Sequence, residues 1–139
     1  MTDYGLFYPM FAMFLLSGTV LALLFAGRVR AIRAREVAQS YFKVYQGAAE
    51  PEYSAQRARH FSNLFEAPTL FYAVCLAAMV THSANRALVV LAWLYVAARL
   101  VHSVIHLGRN DITQRLSAYF ASWAVLAAMW IYVALRIAG

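Results

Sequence analysis

Residues 59–80 read RHFSNLFEAPTLFYAVCLAAMV, and the change of character inside this stretch decides the fold. From Leu64 to Val80 the chain is apolar, yet this run alone falls short of the about 20 residues a helix needs to cross a hydrocarbon core. The preceding polar segment, Ser54–Asn63, extends it as a helix into the headgroup region. Pro68 sits within the run, and the missing N–H of a proline predicts a kink two residues after Glu66.

Outward from this stretch, three further apolar runs appear. Gly5 to Ala26 is long enough to span and is followed at once by Arg28, Arg30, Arg33 and Arg35. Nothing basic precedes it and Asp3 is acidic, so it reads as a retained helix rather than a signal peptide. A polar connection from about Glu36 to Gln56 follows, with Pro51 and Ser54 as helix-start residues. Ala87 to Leu107 and Leu116 to Ile137 complete the set, separated by a turn in which Asp111 and Gln114 have capping-box spacing. With 63% hydrophobic and only 13% charged residues, the chain lacks the polar surface a soluble domain requires. The expectation is an all-α integral membrane four-helix bundle in one domain over residues 1–139, with spans at approximately 5–27, 56–81, 86–107 and 114–137.

The formal net charge of +6 is placed where hydrophobic runs end, not in a soluble basic module, which argues against nucleic acid as a partner. Arg28, Arg30, Arg33, Arg35, Lys43, Arg57 and Arg59 flank the first connection, and Arg109 and Arg115 the third. The positive-inside rule therefore puts these two connections in the cytoplasm and both termini outside. The compact, alanine-rich chain suits a bacterial inner membrane. Cys75 is the sole cysteine and lies in an apolar run, so no intrachain disulfide is possible and it reads as a buried small hydrophobe.

Ionisable residues inside a span cost about 2.5 to 3.5 kcal/mol each unless paired or hydrated. Two groups of polar residues stand here. Arg59, Asn63 and Glu66 follow i, i+4, i+7 spacing, and Arg99, His102 and His106 follow i, i+3, i+7, each set on one helix face. Arg30 closes the first helix and Arg115 opens the fourth at the same level, so the pattern predicts one basic chamber at the cytoplasmic end. The bland alternative is polar glue, with Glu66 paired to Arg59 or Arg99 and Asn63 bridging helices. Four arginines against one carboxylate favour an anionic small molecule or lipid headgroup. His102 and His106 at i, i+4 also have zinc-ligand spacing, with Glu66 or His60 as third donor. Ser117 and Ala121 form a small-xxx-small pair that invites close helix contact, and Tyr119 is open to core, belt or site roles. No Ser/His/Asp arrangement and no glycine-rich phosphate loop is present.

Arg59-x-x-x-Asn63-x-x-Glu66 followed by Pro68 resembles the signature of the membrane-associated proteins in eicosanoid and glutathione metabolism, the MAPEG family. Gly27-Arg28-Val29-Arg30, the run from Arg99 through His102 and His106 to Gly108, and then Arg115 and Tyr119 are similar in spacing to its microsomal prostaglandin E synthase. The resemblance covers nearly the whole chain. It implies a homotrimer holding glutathione between subunits near the cytoplasmic face, contacted by Arg30, Arg59, Asn63, Glu66, Arg99, His102 and Tyr119. It further implies a glutathione-dependent transferase or peroxidase acting on lipophilic electrophiles that enter from the bilayer, with Arg115 and His106 at the thiolate. His106 stands where glutathione-using members have tyrosine, and Leu116 where the prostaglandin synthase has serine. The family also includes a lipid-binding protein without chemistry of its own, so a non-catalytic fatty-acid-binding protein is the alternative. A metal-binding protein using His102 and His106 is a third.

Overall fold

The chain is described by a computed structural model over residues 3–47 and 49–138. A short 3-10 turn at Asp3–Leu6 leads into α1 (Phe7–Arg33), which runs several residues past the apolar stretch into the arginine cluster. The connection carries one short helix, α2 (Tyr41–Val44), then α3 (Glu52–Asn63) starts directly after Pro51. α4 (Ala67–Val80), α5 (Arg86–Leu107) and α6 (Ile112–Ala138) complete the bundle. No strand occurs among the described residues. α1, the α3–α4 pair, α5 and α6 give four segments long and apolar enough to cross a membrane.

The second span is interrupted, and the break lies at residues 64–66, before Pro68, rather than at Pro68 itself. Leu64, Phe65 and Glu66 leave the helix, with Glu66 at ψ −98°, and Pro68 occupies the first turn of α4. There its absent N–H has no intrahelical partner to lose, while a continuous helix would drive its ring into the Leu64 carbonyl. The interruption fixes Glu66 at the step between two helices instead of on the continuous α3 face.

Every span buries a stripe at helical spacing. Met13 and Val20 of α1 meet Phe71, Val74, Cys75 and Ala78 of α4 in the core, together with Leu88, Ala92 and Tyr95 of α5 and Leu126, Met129 and Val133 of α6. Phe71 and Tyr95 stack at the centre, ring centroids 4.4 Å apart. The outer faces are equally apolar: Phe7, Phe11, Phe14, Phe25, Val104, Phe120, Ile131 and Leu135 are exposed. Such a surface is compatible with lipid or with neighbouring subunits, and not with water.

The ends are tied by polar side chains. Asn85 caps α5, accepting from the Leu88 N–H at 3.1 Å, and its amide donates to the Tyr132 hydroxyl at 2.5 Å. Asp111 accepts from the Gln114 N–H at 2.8 Å at the start of α6. α1 approaches α3 closely at Gly27, where an added Cβ would lie 2.8 Å from Arg57 Nη1, the group that donates to the Leu23 carbonyl. Arg28 gathers the long connection: it donates to the Tyr45 hydroxyl, lies over the Phe42 ring and reaches Glu50 at 3.7 Å.

Candidate functional site

A cavity of about 460 Å³ opens between α3, α5 and α6 at the end of the bundle that carries the α5–α6 turn. α3 contributes Arg59, Ser62 and Asn63, one turn apart on its inner side, and the proline-induced step contributes Glu66. The last turns of α5 contribute His102 and His106, and the first turns of α6 contribute Arg115, Leu116 and Tyr119. The volume falls in the range of small-molecule sites, about 300 to 1,000 Å³.

Arg99 lies one turn below His102 and is fully buried. Its Nη2 donates to Asn63 twice, to Oδ1 at 2.6 Å and to the carbonyl at 3.2 Å, while Nε and Nη1 meet no acceptor in the described chain. The Tyr95 hydroxyl and Trp123 Nε1 are likewise buried without a partner. Tyr119 covers this layer, its ring 6.0 Å from the Arg99 guanidinium carbon and 5.8 Å from His102. Asn63 also donates to Glu66 at 3.2 Å. Arg115 is positioned by the turn before α6, its Nη1 donating to Asn110 Oδ1 at 2.8 Å.

The ion pair of Glu66 with Arg59 or Arg99 that polar glue would require does not form among the described residues, where the salt bridge found is Arg28–Glu50. Asn63 instead does the bridging, from α3 to α5. The pocket therefore keeps two guanidiniums on its lining and a third beneath it against a single carboxylate. Such a charge balance selects an anion.

Of the residues singled out in the sequence, Arg59, Asn63, Glu66, His102, His106, Arg115 and Tyr119 line this one cavity, and Arg99 underlies it. Arg30 is apart: it is exposed on α1 and lies over the Tyr53 ring at 5.1 Å. Ser62 was missed, although it sits three residues after Arg59 and four before Glu66, the spacing that would have placed it on the same side. His60, fully buried behind the cavity wall, brings Nδ1 to 3.2 Å from His106 Nδ1 and Nε2 to 2.9 Å from Ser103 Oγ. It is the donor that joins the His102/His106 pair, and Glu66 is not part of that group.

No curated protein and no solved structure matches the sequence. The family model described as the MAPEG family matches residues 6–135, nearly the whole chain. With four membrane-capable helices over the same residues, the chain is a multi-pass integral membrane protein that belongs to the MAPEG family.

Proposed function

We propose that the protein is a glutathione-dependent transferase or peroxidase acting on lipophilic electrophiles, and that the basic cavity takes glutathione. The observation that carries this reading is the buried Arg99, held by Asn63 and left with two unpaired N–H-bearing nitrogens under a cavity lined by Arg59 and Arg115. Glutathione offers two carboxylates to the guanidiniums and an amine to Glu66. Membership in a family that includes glutathione transferases and peroxidases supports the same ligand.

In this reading Arg59, Asn63, Glu66, Arg99, His102 and Tyr119 bind or orient glutathione. Arg115, half-buried and fixed by Asn110, stabilises the thiolate electrostatically and so lowers the thiol's pKa. His106 donates a hydrogen bond in the place of the family's tyrosine. The thiolate sulfur then forms a bond to an electrophilic carbon, from which a leaving group departs with the electron pair of its broken bond, or to the hydroxyl oxygen of a hydroperoxide, where the O–O bond breaks to give glutathione sulfenic acid and an alkoxide. The hydrophobic substrate arrives from the bilayer.

The assembly proposed is a homotrimer with the cavity at the subunit boundary. Arg30, exposed on α1, is then available to a neighbour's glutathione, and Ser117 and Ala121, both exposed on α6, offer close-packing positions between subunits. The chain is proposed to sit in a bacterial inner membrane with the cavity end cytoplasmic and both termini outside. Reporter fusions at the two termini test this, and cytoplasmic termini would refute it. The catalytic reading is tested by conjugation assays with Arg115→Ala. A drop of a hundredfold or more is expected, and unchanged conjugation would exclude the role given to Arg115.

One observation favours a second, non-catalytic reading. Leu116, 45% exposed, lines the cavity without a hydroxyl to donate, and an apolar groove of about 450 Å³ runs along α1, α3 and α4, lined by Phe14, Leu21, Phe61, Leu64 and Tyr72 among others. The arginines of the cavity suit a lipid carboxylate, and the groove, on the opposite side of α3, offers an apolar surface to an acyl chain. Thermal stability in detergent separates the two, because the ligand that binds the folded state raises the melting temperature.

A further inference from the structure

His60, His102 and His106 bring three ring nitrogens to one point in the wall of the cavity. His60 Nδ1 is 3.2 Å and His102 Nε2 is 3.5 Å from His106 Nδ1, and the three histidines each bring one ring nitrogen within 4.8 Å of the others. A tetrahedral metal with nitrogen ligands at about 2.0 to 2.1 Å places those nitrogens about 3.3 to 3.4 Å apart. Two edges of the triangle already bracket that value. The rings are 0%, 2% and 7% exposed, so the point is sheltered from bulk water.

The neighbours of the rings decide where the protons sit. Ser103 Oγ lies 2.8 Å from the Arg99 carbonyl, which only accepts, so the serine proton is used there. Ser103 Oγ must then accept from His60 Nε2–H at 2.9 Å, which leaves His60 Nδ1 with a bare lone pair. His102 Nδ1 faces the Arg115 carbonyl at 3.1 Å and must likewise be the donor, leaving His102 Nε2 bare. Among neutral imidazoles the meeting point thus receives two lone pairs and at most one proton, from His106 Nδ1. The outer partners, a hydroxyl and a backbone carbonyl, are the type that fixes the tautomer and orientation of metal-bound histidines.

We propose that His60, His102 and His106 form a binding site for a divalent transition metal of the zinc class, with one coordination position open to the cavity. Three imidazoles suit zinc, cobalt, nickel or copper, and not calcium or magnesium. His102 and His106 supply the i, i+4 pair from one face of α5, and His60 closes the triangle from α3. Arg59, Arg99 and Arg115 surround the site and oppose a bare cation, so the open position takes an anion such as hydroxide, chloride or a carboxylate. This site stands on the histidine geometry alone and does not depend on glutathione being the ligand of the cavity.

The test uses the full-length protein, purified in detergent through a tag without histidines, stripped with chelator and titrated with cobalt(II). Uptake of one equivalent per chain is expected, with the visible absorption of tetrahedral cobalt and paramagnetic shifts on three imidazole rings. His60→Gln and His106→Gln should each lower retained metal at least tenfold, while His82→Gln, at the far loop, leaves it unchanged. The imidazole shifts are read on the wild-type protein, so the outcome does not depend on whether the buried His60 variant folds. Absence of a tetrahedral cobalt spectrum, fewer than three shifted rings, or metal retained in folded His60→Gln and His106→Gln proteins would each overturn the site.

Discussion

Asn63 grips Arg99 with both its side chain and its backbone: Nη2 of the arginine lies 2.6 Å from Oδ1 and 3.2 Å from the carbonyl, across the α3–α5 boundary. This grip aims a fully buried guanidinium at the cavity floor while leaving two of its nitrogens without partners. A charge kept in that state serves binding better than it serves stability.

Replacing it should separate the two. A buried guanidinium without a counter-charge carries a desolvation cost that an apolar side chain in its place does not. Arg99→Met is therefore expected to keep or raise the melting temperature in detergent. Glutathione affinity should fall ten- to a hundredfold, the loss of a charge-assisted hydrogen bond worth about 1.5 to 3 kcal/mol. Melting curves and calorimetry on the same preparation check both halves. Affinity within twofold of wild type would remove Arg99 from the site.

Pro68 should act on binding through geometry. Pro68→Ala restores an N–H that can reach the Leu64 carbonyl, so α3 and α4 can run on as one helix. Stability should change by no more than about 1 kcal/mol, because the proline occupies a first-turn position where it is tolerated. Glu66 would then leave the step for a position on the continuous α3 face, displaced from the place it holds in the cavity wall, and glutathione affinity should fall about tenfold. A variant that binds as wild type would show that the step at Glu66 is not needed.

The four spans were legible because apolar runs of spanning length, bounded by arginines, leave few alternatives. The convergence of Arg59 and Asn63 with His102 and His106 was legible too, since i, i+3, i+4 and i+7 spacing puts residues on one helix face wherever the helix is regular. Glu66 shows the limit. Its place on that face assumed an uninterrupted helix, whereas the chain leaves the helix at Leu64 and Glu66 reaches the cavity from the step. Arg30 shows another. Depth along the bundle follows from sequence, but the direction a helix turns its residues depends on its neighbour, and α1 turns Arg30 to Tyr53. His60 is adjacent to Arg59 and so points about 100° away from it, into α5. Only the packing of α3 against α5 shows that this direction leads to Ser103 and His106.

The far end of the bundle offers a control for these site variants. Asn85→Ala removes the cap on Leu88 and the contact with Tyr132 together. A stability loss of about 1 to 2 kcal/mol is expected from the cap, with glutathione affinity unchanged because α5 enters the cavity only at its other end. A parallel loss of binding would mean that the cavity is sensitive to general loosening of the bundle, and the site variants would have to be reinterpreted.

The most direct measurement is glutathione binding by calorimetry on the detergent-solubilised protein, with Arg115→Ala alongside. Binding in the micromolar to low-millimolar range, lost in the variant, is the predicted result. No heat at saturating glutathione, or equal binding by both proteins, would contradict a glutathione site at the arginine-lined cavity.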